Sequence, residues 1–262
     1  MQEFAFIFAG FFVGLVVGLT GVGGGSLMTP LLIFFFRMKP HLAIGTDLLF
    51  AAFTKMGGSI ALARARMIDW PVVGWTALGS LPATLVTLYV LHTAGPASSA
   101  VQQVMTMTLG VALLLTAAAT LYKAAGKATP RHVEDAALAQ SIRPRHPLLA
   151  VLFGAVLGVL VTLTSVGAGA IGVLVLMLLY PSLPLPRIVA ADIAHAVPLT
   201  LVAGLGHASL GSVDWPLLLK LLAGSLPGIW LGSLLMRRTS DRVVRSLLSV
   251  LMAYAGAKLM TL

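Results

Sequence analysis

Asp47, Lys55, Asp192 and His195 each fall inside a run of apolar residues long enough to cross a bilayer. An ionisable group at that depth is costly unless it is paired or hydrated, so each is a functional candidate. The two carboxylates suit taking up protons or holding a cationic neighbour; they are poor ligands for an anion. Lys55 suits contact with an anion. It lies on the same helical stripe as Asp47 and Ala51, about 12 Å from Asp47 along the axis, so any pairing is indirect or runs across helices. Its alternative is snorkelling, which from mid-helix is a long reach. His195 follows Asp192 by three residues, on one helix face. Such a pair can move protons around pH 5 to 8; the alternative is a packing histidine held by a hydrogen bond. Thr46, next to Asp47, joins Asp47, Asp192 and His195 as the candidate coupling pathway. No third and fourth ligand accompanies the Asp–His pair, so no metal or other cofactor is expected. The chain has no cysteine, which removes thiolate chemistry and disulfides.

A second set of candidates is Thr20, Gly21, Gly23, Gly24, Gly25 and Ser26, matched by Thr164, Ser165, Gly167 and Gly169. Glycine-rich breaks at membrane depth free backbone groups, which must be buried in protein or line a cavity. Each break leaves a helix N-terminus inside the protein, at about Ser26 and Ala170. Free N–H groups and the helix dipole make such ends anion sites. The glycines would let backbone approach the anion, and the hydroxyls would add donors. Their alternative use is close helix packing.

These candidates are positioned by a duplicated frame. A shift of 145 carries Asp47 onto Asp192, Asp69-Trp-Pro71 onto Asp214-Trp-Pro216 and Gly79-Ser-Leu-Pro82 onto Gly224-Ser-Leu-Pro227. A shift of 144 matches the two glycine breaks. The chain is 10% charged, against about 25% for soluble domains, and its mean hydropathy is +1.00. It reads as an all-α, polytopic membrane protein of ten helical segments: about 4–19, 26–36, 42–63, 71–91 and 101–122, then 148–163, 170–180, 187–209, 215–235 and 243–261. That gives a first repeat over 1–122, a polar linker over 123–147 holding a short surface helix, and a second repeat over 148–262. Asp69 and Asp214 read as N-caps ahead of Trp-Pro.

Charge selects the topology. If each broken pair, 4–36 and 148–180, is a partly re-entrant hairpin, then Arg64, Arg66, Lys123, Lys127, Arg131, Arg143, Arg145, Arg187, Arg237, Arg238, Arg242 and Arg245 share one side. Arg37, Lys39 and Lys258 take the other. This is a strong positive-inside bias. Were each pair a single crossing, the bias would vanish. The hairpin reading puts both termini outside and the linker in the cytoplasm of an inner (plasma) membrane. Each repeat then makes an odd number of net crossings, so the two are inverted.

The ordered set Gly18-Leu-Thr-Gly-Val-Gly-Gly-Gly25, Ile44-Gly-Thr-Asp-Leu-Leu49, Asp69-Trp-Pro71 and Gly79-Ser-Leu-Pro82, with its second-half copies, resembles the TauE/SafE sulfite exporter family, also called the four-toluene-sulfonate uptake permease family. The second repeat departs from it with Ala190-Ala191-Asp192 where the first has Gly45-Thr46-Asp47. The resemblance implies export or uptake of sulfite, sulfonates or similar small anions. Paired breaks in a duplicated membrane protein point to a secondary transporter working by alternating access, one inverted half rocking against the other. Its partners would be the anion, the lipid bilayer and protons; homo-oligomers are neither required nor excluded. A membrane-embedded enzyme would need a nucleophile–base cluster, which only Asp192 and His195 approach. An anion channel would lack saturation and counter-exchange.

Overall fold

The computed structural model describes residues 2–20, 25–125, 147–235 and 241–261. These form ten helices: α1 (Gln2–Thr20), α2 (Gly25–Phe34), α3 (Pro40–Arg64), α4 (Trp70–Ala94), α5 (Ser99–Ala125), α6 (Pro147–Thr164), α7 (Ala170–Leu179), α8 (Leu185–Ser209), α9 (Trp215–Leu235) and α10 (Asp241–Leu259). No strand occurs among the described residues. The expected segments are therefore present, with ends moved by a few residues. α5 runs on to Ala125, and the expected surface helix of the linker lies outside the described residues.

Local chemistry sets the starts. Proline occupies the first turn of α3 and α8, after Lys39 and Pro184, where its missing N–H costs nothing. Asp214 caps α9, its Oδ1 accepting the Leu217 N–H at 3.0 Å. Asp69 takes the corresponding position on α4 without making the side-chain cap bond. Its buried carboxylate instead interacts electrostatically with the Tyr180 phenol at the end of α7. The pair of caps expected from the repeat is thus made on one side only.

Helices α4, α5, α6, α8 and α9 contain stretches long and apolar enough to cross a membrane. Large apolar side chains such as Phe8, Tyr89, Leu152, Leu219 and Trp230 point outward, as lipid-facing residues do. The chain is a multi-pass membrane protein. Helices α2 and α7 have 10 residues each; at about 15 Å they cover half of a roughly 30 Å hydrocarbon core.

Glycine seams fix the helix directions. A Cβ on Gly10 would meet Leu221, one on Gly14 would meet Ser225, and one on Gly18 would meet Ile229 and Gly232. Both series ascend, so α1 and α9 run parallel, each backbone in the glycine groove of the other. Gly154 against Thr76 and Gly158 against Ser80 make α6 parallel to α4 in the same way. The other two pairs are antiparallel. Gly45 of α3 meets His207 and Ser212, while Gly204 of α8 meets Leu49. Gly110 of α5 meets Met260, while Gly256 of α10 meets Leu114.

The buried apolar clusters divide the molecule differently from the sequence. One joins Val13 of α1, Met28 and Leu32 of α2, Phe50 of α3 and Leu221 of α9. Another joins Val72 of α4, Ala150 of α6, Leu176 of α7 and Ile188 of α8. Each body is the first three helices of one repeat plus the fourth of the other. α5 and α10 pack together through Leu113 and Met252. A further cluster, with Leu48 of α3 and Leu199 of α8, lies between the bodies.

Candidate functional site

The break between α6 and α7 is an ordered structure. The Thr164 hydroxyl lies 2.6 Å from the Leu160 carbonyl and accepts the Val166 N–H at 3.1 Å. Ser165 follows with a φ of 60°, Gly167 with 132° and Gly169 with 127°. Ser165 is a non-glycine residue in the left-handed region, a conformation that the surroundings must enforce. Gly167 and Gly169 hold values that side-chain-bearing residues rarely reach. The Gly172 N–H closes the turn on the Gly167 carbonyl at 3.0 Å. Thr164, expected as a ligand donor, is therefore engaged with its own backbone; Ser165 is the hydroxyl that faces outward from the break.

This break meets α3 at mid-height. Lys55 Nζ donates to the Ala168 carbonyl at 3.4 Å. Two turns below, the Ser165 side chain reaches toward the Asp47 carboxylate. Asp47 is fully buried and its Oδ2 accepts a short hydrogen bond from the Thr29 hydroxyl of α2. Its other oxygen, Oδ1, and the Ser165 Oγ are both buried without a hydrogen-bond partner of regular geometry. α3 thus touches its own half-helix through Thr29 and the opposite repeat's break through Ser165 and Ala168.

The other body supplies Asp192 and His195 from α8. Asp192 is 2% exposed, and its Oδ1 lies against Gly172, where a Cβ would strike it. The first turn of α7 already faces a carboxylate, which suits the positive end of the helix dipole. The His195 Nε2 pairs with the Ser80 hydroxyl of α4 at 2.8 Å. That contact crosses helices, where the sequence suggested Asp192, one turn away, as the partner. Lys55 interacts electrostatically with Asp47, Asp192 and His195. Three of the four ionisable candidates are at most 2% exposed, and Lys55 is half-buried.

The remaining candidates fall in different places. Thr46, expected on the pathway, accepts the Asp214 N–H at 3.0 Å and so ties α3 to the start of α9. That bond gives its hydroxyl a structural partner. Ser26 is buried in the first turn of α2. Thr20 ends α1 and Gly25 begins α2, and Gly21, Gly23 and Gly24 lie outside the described residues. The cluster is asymmetric despite the duplication. The counterpart of Lys55 is Thr200, whose hydroxyl turns back to the Ala196 carbonyl at 2.7 Å. The counterpart of His195 is Phe50, buried in the apolar cluster of its own body. Among the described residues no group of three or more His, Asp and Glu is arranged to hold a metal ion.

Thr29, Ser80 and Gly172 did not stand out as site residues in the sequence. Ser80 sits in the duplicated Gly-Ser-Leu-Pro motif, which was a visible signal. Thr29 and Gly172 carried none: they matter through what faces them.

Comparison with known proteins gives a family and several membrane transporters as relatives. The family model described as "Sulfite exporter TauE/SafE" matches residues 6–259. The "Probable membrane transporter protein YjnA" of Bacillus subtilis (strain 168) is 35% identical over 262 residues, covering 97% of this chain and 98% of the relative. The "Probable membrane transporter protein YunE" of the same organism is 26% identical over 259 residues, covering 95% and 94%. A "Probable membrane transporter protein" of Xylella fastidiosa (strain 9a5c) is 27% identical over 234 residues, covering 88% and 84%. No solved structure matches the chain.

Proposed function

The chain belongs to the sulfite exporter TauE/SafE family and is a membrane transporter; from that premise we propose that it carries sulfite or related sulfur oxyanions and sulfonates by alternating access around Lys55. The observation that carries this reading is the lysine itself. A half-buried ammonium stands at mid-height of α3, against a strained break whose backbone could approach an anion. The α7 end is already faced by Asp192, so substrate charge falls to Lys55, Ser165 and the backbone of Gly167 and Gly169. By the repeat, Thr20, Gly21, Gly23, Gly24, Gly25 and Ser26 are the corresponding substrate contacts of the first half, and Thr164 holds the second break in shape.

Inverted repeats follow from the same reading. The equivalent helices α3 and α8 run antiparallel, as do α5 and α10. A two-fold axis in the membrane plane produces this relation; an axis along the normal would not. α3 and α8 are each joined to the next helix by a short turn and so run opposite to it. Since α9 is parallel to α1 and α8 is antiparallel to α3, α1 and α3 point the same way. The intervening segment with α2 must then return across the membrane, which supports the hairpin. With the basic residues inside, residues 1–122 and 148–262 are the two transmembrane repeats. The 123–147 linker is cytoplasmic, both termini are outside, and the membrane is the inner one.

The glycine seams refine the motion. α1 is locked to α9, and α6 to α4, so the bodies that rock are the two cross-repeat groups. The site lies between them, with α3 on one and α8 and the break on the other.

The test is counter-exchange in proteoliposomes with sulfite and a sulfonate panel, for wild type and Lys55→Met. An ammonium about 4 Å from an anion gains roughly 4 kcal/mol at an effective dielectric of 20, part of which desolvation cancels. We expect about a 10- to 100-fold weaker apparent affinity in Lys55→Met, that is, roughly 1.4–2.8 kcal/mol. Full transport by Lys55→Met rejects the site; flux without saturation or counter-exchange identifies a channel instead.

A further inference from the structure

The charges around Lys55 do not balance for an anion carrier. With both carboxylates ionised, one positive group faces Asp47 and Asp192, a net of minus one. An arriving monovalent anion, a sulfonate or hydrogensulfite, would raise this to minus two in a low-dielectric site. One proton per anion restores the starting charge. The question is which group takes it.

Asp47 is the residue built to do so. Its carboxylate is 0% exposed: Oδ2 holds Thr29, and Oδ1 has no hydrogen bond of regular geometry. Facing it is the Ser165 Oγ, also buried without a hydrogen bond of regular geometry and held at that spot by a backbone in the left-handed region. A buried polar atom left without a good hydrogen bond is destabilising. The Ser165 hydroxyl can bond Oδ1 in either state, donating to the carboxylate or accepting from the carboxylic acid, so the seam can hold together with and without the proton. The bond would run from α3 of one body to the break of the other. The groups that face Asp47 are few. Lys55 shares its helix and itself interacts electrostatically with Asp192 and His195 of α8, which also packs His207 against Gly45, two residues from Asp47. α9 brings Asp214 near through its backbone N–H to Thr46, and α2 and residues 165–169 bring no titratable side chain. His195 has Ser80 as its partner.

We propose that the Asp47–Ser165 seam is a proton-binding site, and that the proton loaded there is the coupling ion that accompanies the anion. The proton adds to Oδ1 from water on one side, forming one O–H bond, and leaves to water on the other after the bodies have rocked. One positive charge thus moves with each negative one. The coupling half of this rests on the transport reading above; the proton site does not.

The purified full-length protein tests it without substrate. Infrared difference spectra on acidification should contain a protonated-carboxyl component that is present in wild type, absent in Asp47→Asn and shifted in Ser165→Ala, which removes the hydrogen-bond partner. Identical spectra for wild type and Asp47→Asn, or an Asp47-dependent component unmoved by Ser165→Ala, overturn the site. In proteoliposomes, the ratio of sulfite uptake with and without an inward pH gradient should exceed one in wild type and fall to one in Asp47→Asn. An unchanged ratio in that variant overturns the coupling. If the bands behave as expected while wild type moves no sulfite or sulfonate, the transport reading has failed and the proton site stands.

Discussion

Replacing Gly14 of α1 by alanine tests the seam that joins the two repeats. An added Cβ would sit 2.7 Å from the Ser225 Cα, where ordinary contact is 3.4–4 Å. The shortfall is about 1 Å, and the obstacle is backbone, which cannot swing away. α1 and α9 must part by that much over several turns. A gap of 0.5–1 Å forfeits a quarter to a half of each dispersion contact it opens, and overpacking of this kind costs roughly 1–3 kcal/mol. For a chain of this size that lowers the melting temperature by roughly 2–10 °C. Gly57 of α3 is the control. A Cβ there meets nothing within 4 Å, so alanine should gain about 0.5–1 kcal/mol from restricting the unfolded chain and favouring the helix. Thermal melts of the two variants in one detergent should therefore move in opposite directions. If Gly14→Ala melts at or above wild type, the glycine seam is not a tight interface, and the cross-repeat bodies lose their support.

Three further outcomes follow from the geometry. The Thr84 and Thr162 hydroxyl oxygens are 3.2 Å apart between α4 and α6, so cysteines at both positions, in a chain with none of its own, should form a disulfide. Transport should persist in the oxidised protein; its arrest would mean that the sequence repeats, and not the cross-repeat bodies, move. Gly172→Ala drives a methyl into Asp192 Oδ1 and should lower both melting temperature and transport; Gly172→Ala with Asp192→Ala should recover the melting temperature alone. A reporter fused after Leu262 should lie outside the cytoplasm and one within 126–146 inside; finding both on one side would remove the inverted arrangement.

Much of the frame was legible because it depends on local signals. Trp70-Pro71 and Trp215-Pro216 announced helix starts, and the glycine runs announced breaks. Lys55 stood out because a charge in an apolar run has few bland explanations. What escaped was tertiary. Thr164 and Ser165 are adjacent hydroxyls that sequence treats alike, yet the turn through φ 60° sends one to its own backbone and the other to Asp47. His195 has Asp192 at ideal spacing on its own helix, but α4 brings Ser80 to within 2.8 Å. The packing of Gly10, Gly14 and Gly18 on α9 was not legible, because nothing in the repeat says that a helix packs against the other copy.

That exchange of helices bears on how the protein is made. α1 leaves the ribosome first, but its glycine groove is filled only when α9 arrives, some two hundred residues later. Meanwhile α4 emerges with its own groove empty until α6 follows it. The first body to close is therefore the one built around the second repeat, and the chain's first hairpin waits in the bilayer with an open seam. A half-length ancestor would have met the same need by trading helices between two separate subunits, and a ribosome stalled before α9 leaves a product with its earliest helix unmatched.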